Sequence, residues 1–237
     1  MKAWQVAYRL LYQNRWLYLL LVLLPPGLAA LVLLSGSPPD LGDVLSILHQ
    51  ECLYGLALVV FSGSAQLGNE QRSRRVVGVL SRAVSRPEYL LALLYTAWLP
   101  LALYAASVLM SGMLLISPTG QSPTGVIAMA CVLLLLGLWA ATVSLFFATW
   151  LPSLLASGAS LALISSIAFM GHSSPGPGKL LGSLIGTGPE AWMPTEPASQ
   201  IPVGQISTWL SILVAAAAFF AAAAAIFNRR DLRLKED

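Results

Sequence analysis

Six stretches of the chain are apolar at nearly every position, and the polar residues gather between them. They run from Trp16 to Leu34, Cys52 to Gly68, Leu90 to Ile116, Val126 to Trp150, Ser153 to Gly171 and Ser207 to Phe227. Crossing the hydrocarbon of a bilayer as a helix takes roughly twenty mainly apolar residues, because every backbone N–H and C=O must be paired within the segment. All six stretches qualify on that measure. The pattern therefore predicts an all-α membrane protein with six transmembrane helices in a single polytopic domain, residues 1–237.

Composition agrees. Apolar residues make up 57% of the chain and charged ones 10%, where a soluble domain carries about 25% charged residues; mean hydropathy is +0.76. The first stretch is followed by no small-residue cleavage pattern, so it is read as a retained span and not as a signal peptide.

Charge orients the spans. Of thirteen Lys and Arg residues, Lys2, Arg9 and Arg15 precede the first span, Arg72, Arg74, Arg75, Arg82 and Arg86 follow the second, and Arg229, Arg230, Arg233 and Lys235 follow the last. The alternate connections hold only Lys179, against Asp40, Asp43, Glu51, Glu190 and Glu196. Positive residues collect on the cytoplasmic side, which puts both termini and the loop after the second span in the cytoplasm. Membrane topology thus accounts for the pI near 9.0, and no nucleic-acid partner is expected.

The connecting segments differ in character. Residues 1–15, "MKAWQVAYRLLYQNR", put Lys2, Gln5, Arg9 and Gln13 on one helical face and Trp4, Ala7 and Leu11 on another. That reads as an interfacial, elbow-like helix at the headgroup level, or as a simple extension of the first span. Pro25 and Pro26 would break or kink the first span unless neighbouring groups satisfy the carbonyls they free, so that face is expected to point inward. "SGSPPDLGD" and "SPTGQSPTG" read as short outer loops, and Pro152 in "TWLPS" marks a tight cytoplasmic turn or a helix start. The extracytoplasmic segment 172–205 contains "KLLGSLI" and "EAWM", which predict one or two short outer helices, the alternative being a plain loop. The alanines of the last span favour close helix packing, against another span or another copy. Cys52 and Cys131 sit in the outer parts of their spans, either as small apolar interface residues or, if those helices are neighbours, as a disulfide.

Recognisable chemistry is scarce. The span interiors as drawn contain no Asp, Glu, Lys, Arg or His, so no group for ion or proton coupling is expected. His49 and His172 stand alone, and "SGSA" at Ser62 lacks the strand-to-helix setting of a nucleophile elbow. "SSPGPGK" is not a phosphate loop, since Ser173 stands where its first glycine belongs and Leu180 follows Lys179. No catalytic, cofactor-binding or metal-binding residue is expected, and the chain is read as no enzyme. Any ATP would be handled by another chain.

The basic stretch from Asn69 to Ala92 remains. It could anchor on lipid, since each arginine near an anionic leaflet contributes on the order of 1 kcal/mol. It also has the shape of a docking element: Val76, Val77, Val79 and Leu80 form an apolar strip flanked by Arg72, Arg75 and Arg82. "SRPEY" then starts a helix, with Pro87 in the first turn and Glu88 at the positive end of the helix dipole.

"VLSRAVSRPEYLLA" resembles the cytoplasmic segment after the second span in permease subunits of type-2 ABC exporters, the type V exporter fold. The match is carried by Leu80, Ser81, Val84, Ser85, Arg86, Glu88, Tyr89, Leu90 and Leu91. "FNRRDL" resembles that family's final-span exit, through Phe227, Arg229, Arg230, Asp231 and Leu232. Arg74 and Arg75 stand where the family has Gly-Thr, Ala83 replaces a proline, and Ala92-Leu93 replaces Gly-Lys.

The resemblance implies a cytoplasmic coupling helix between spans two and three, within residues 69–89. Its interface with an ATP-binding cassette subunit would be formed by Arg72, Arg75, Val79, Leu80, Ser81, Arg82, Val84, Ser85, Arg86, Glu88 and Tyr89. It further implies pairing with a second permease chain, identical or paralogous, in a bacterial cytoplasmic membrane, with ATP and magnesium bound by the partner subunit and none by this chain. An uncharged path suits a hydrophobic or amphipathic substrate. The rival reading is a non-transporting structural or assembly subunit of a larger membrane complex, in which the arginines merely fix topology.

Overall fold

In a computed structural model of the protein, residues 15–35, 40–72, 85–119, 123–170 and 203–229 are described. They form α1 (Arg15–Leu34), α2 (Leu41–Arg72), α3 (Arg86–Ile116), α4 (Thr124–Ala148), α5 (Ser153–Met170) and α6 (Val203–Arg229), with one 3₁₀ turn, Ser117–Thr119, after α3. No strand occurs among the described residues. Among the described residues, four windows are long and apolar enough to cross a membrane: Gly42–Gly68, Arg86–Thr119, Thr124–Ala148 and Trp209–Arg229. The apolar stretches Leu19–Leu34 and Ser153–Ile167 are shorter.

α4 is the axis of the bundle and packs on α2, α3, α5 and α6. Its apolar window is 67% buried, while that of α6 is 22% buried. α1 packs chiefly on α3, and α5 fills the angle between α2 and α4. The main core includes Leu48, Cys52, Val59, Leu101, Tyr104, Leu133, Leu136 and Trp139. A second cluster, Leu67, Tyr89, Leu90, Leu93, Leu145, Ala148, Ala156 and Phe227, ties together the end where α2, α4 and α6 finish and α3 and α5 start.

Lipid tails are as apolar as leucine, so helices in a bilayer associate through close packing and hydrogen bonds more than through water exclusion. Glycine makes the close approaches here. A side chain at Gly137 of α4 would collide with Leu101 of α3, and one at Gly55 of α2 would stand 3.0 Å from the Tyr104 ring. Helix-to-helix hydrogen bonds add to this: Trp98 Nε1 donates to the Leu134 carbonyl at 3.1 Å, and the buried Thr96 hydroxyl meets Gln66 Oε1. Other buried hydroxyls turn back on their own helix, as Ser64 does to Val60 (2.9 Å), Thr142 to Trp139 (2.7 Å) and Ser160 to Ala156 (2.6 Å). Such back-bonding satisfies a hydroxyl without water.

The second proline of α1 is accommodated by a neighbouring helix. α1 is assigned as one helix through Pro25 and Pro26. Pro26 has no N–H to offer the carbonyl four residues earlier, that of Val22, and Ser107 of α3 donates its hydroxyl there instead. Pro25 is buried, so this face does point inward.

Several boundaries differ from expectation. α2 starts at Leu41, eleven residues before Cys52, and includes His49, Gln50 and Glu51. These polar residues mimic a loop in sequence, but Glu51 finds its partner inside the bundle. Residues 69–72 are the last turn of α2 and 86–89 the first turn of α3. Between the two helices lie 73–85, of which 73–84 are outside the described residues, as are 1–14 and 171–202 with the expected elbow and outer helices. Thr149–Pro152 makes the tight turn between α4 and α5, with Ala156 N–H bonding the Pro152 carbonyl at 2.9 Å. Both cysteines are free, Cys52 buried and Cys131 exposed.

Candidate functional site

The start of α3 is built by its own sequence. Ser85 lies in extended conformation (φ −68°, ψ 150°) and caps the helix, its Oγ accepting from Glu88 N–H at 3.4 Å while Ser85 N–H donates to Glu88 Oε2 at 3.0 Å. This reciprocal capping box satisfies two otherwise orphaned backbone donors. Pro87 sits in the first turn, where a missing N–H costs nothing.

Arg86 then reaches across to α6. Its Nη1 donates to the Phe227 carbonyl at 3.2 Å and to the Asn228 carbonyl at 2.7 Å. These are among the last carbonyls of a helix, where the dipole is negative and an arginine is favoured. One turn on, Tyr89 is buried with its ring stacked on Phe227, centroids 6.3 Å apart and planes 17° apart. "SRPEY" and "FNRRDL" therefore meet in space through Arg86, Tyr89 and Phe227, although Arg86 and Phe227 are 141 residues apart.

Of the expected interface residues, Ser85, Arg86, Glu88 and Tyr89 come together at this end of the bundle. Arg72 is the final residue of α2. Arg75, Val79, Leu80, Ser81, Arg82 and Val84 lie outside the described residues. Among those described, Tyr89 faces the core and Ser85 and Glu88 bond each other, which gives these three a structural task. Ser85, Glu88 and part of Arg86 are also open to solvent.

A second group was missed. Glu51, read as lying outside the second span, is within the Gly42–Gly68 window and is 1% exposed. This corrects the expectation that the spans hold no ionisable interior group. Its Oε1 accepts from Ser111 Oγ at 3.1 Å, its backbone carbonyl accepts from the Tyr104 hydroxyl at 3.0 Å, and its Oε2 has no hydrogen-bond partner among the described residues. Gly55, one turn along α2, leaves the room in which the Tyr104 ring lies. The one sequence signal was a carboxyl immediately before the expected span; its partner is sixty residues away. Among the described residues no three His, Cys, Asp or Glu side chains cluster to hold a metal ion. Comparison with protein-family models and with curated proteins finds no match to this chain.

Proposed function

We propose that the chain is the membrane-spanning permease subunit of an ATP-driven exporter of the type-2 ABC kind, with α1 and α5 crossing the bilayer beside the four longer helices. The observation that carries this reading is the meeting of its two family-like sequence stretches: Arg86 and Tyr89 hold the start of α3 on the end of α6 at Phe227 and Asn228. A push on the 73–84 segment would then reach α2, α3 and α6 together. A nucleotide-dependent partner can shift the helices only if it binds their two arrangements with different affinity. A rigid junction is what gives a docked subunit that leverage. ATP and magnesium belong to the partner, a second permease chain completes the path, and the substrate is hydrophobic or amphipathic. Both chain ends and the 73–84 segment face the cytoplasm of a bacterial cell on this reading.

Affinity purification in mild detergent tests it. The tagged chain is expected to bring down a P-loop ATPase. The double variant Arg72→Glu/Arg75→Glu is expected to lose it at least about tenfold, equivalent to about 1.4 kcal/mol, while remaining inserted. A preparation without any ATPase sinks the proposal and leaves the assembly-subunit reading.

A further inference from the structure

With Trp139, whose indole N–H is also unmatched among the described residues, Glu51 departs from the way this bundle treats its polar groups, and of the two it alone is ionisable. Buried hydroxyls bond a carbonyl on their own or a neighbouring helix, but Glu51 brings a carboxyl inside and leaves Oε2 unmatched. The position is built: Ser111 holds one carboxyl oxygen and Tyr104 the backbone carbonyl, both from α3. Nothing described supplies a positive charge. α3 offers Tyr104 here, and its one basic residue, Arg86, is tied to the far end of α6. α4 has a single titratable side chain, the exposed Cys131, and α5 has none. On α2 itself the neighbours are His49, Cys52 and Tyr54, with Asp43 two turns away and Arg72 twenty-one residues along the helix.

An ionised carboxylate without an opposite charge is far more costly to bury than the neutral acid. An ionisable residue inside a membrane bundle commonly marks a path for protons, ions or substrate. We propose that Glu51 is a proton-binding site of the bundle interior, holding its proton while the α2–α3 seam is closed and taking it up or releasing it when the seam opens to water. On loading, an O–H bond forms at a carboxyl oxygen with a proton taken from water. On release that bond breaks, the electron pair stays on the carboxylate and the proton returns to water. The inference stands on the packing around Glu51 and does not depend on the transporter reading.

Infrared difference spectroscopy of the full chain in lipid nanodiscs at neutral pH tests it. The expected result is a protonated-carboxyl C=O stretch that is lost in Glu51→Gln and shifts in frequency in Ser111→Ala, which removes the donor to Oε1. Glu51→Gln has the same shape without the charge, so its melting temperature is expected to equal or exceed that of the parent. If it nevertheless fails to fold, the Ser111→Ala shift alone decides, and no shift overturns the proposal. A carboxylate stretch at neutral pH in its place also overturns it. Dependence of that stretch on sodium in the buffer would identify a metal-cation site, and its loss in Lys179→Met an ion pair.

Discussion

Arg86 offers the most direct test at the scale of one residue. Arg86→Ala removes a charged donor from two carbonyls at the end of α6, and hydrogen bonds to charged groups are worth about 1.5–3 kcal/mol. Thermal unfolding in detergent is expected to show a loss toward the lower end of that range, because the side chain is partly open to solvent. Arg86→Lys is expected to recover only part, since an ammonium keeps the charge without the planar fork. Glu51 shows the limit of reading residues singly. "HQE" in sequence resembles the edge of a loop, and nothing local distinguishes a carboxyl that faces water from one that meets Ser111 sixty positions later.

Among the elements, α3 was legible at its start, because capping is a local matter: Ser85, Pro87 and Glu88 act within one turn. The start of α2 was not, because a polar residue ends a span only if its partner is water. Close approach between elements was equally hidden, since a glycine on an apolar helix does not announce which neighbour it admits. Gly137→Ala should place a methyl group against the side chain of Leu101, which is fully buried. Overpacking of this kind costs about 1–3 kcal/mol. The expected outcome is a lowered melting temperature, partly restored by the compensating Leu101→Val.

For the whole molecule, hydropathy found every helix that the structure describes but not their neighbours. An apolar surface is satisfied equally by lipid and by another helix, so neither the central place of α4 nor the largely exposed face of α6 could be read from composition. Sidedness is open to direct measurement. In a Cys52→Ala/Cys131→Ala background, cysteines placed at the exposed Pro118 and Asn228 mark opposite ends of α3 and α6. A membrane-impermeant thiol reagent added to intact cells is expected to label Pro118→Cys and to spare Asn228→Cys until the cells are opened.

Pro26 and Ser107 belong to different helices yet answer one requirement. Losing the hydroxyl would strand a carbonyl in oil, whereas losing the proline first would make the hydroxyl dispensable. Inheritance should therefore be ordered: in chains descended from a common ancestor, position 26 must be free to drift before position 107 can, and the two are bound into one evolutionary unit that neither helix reveals alone.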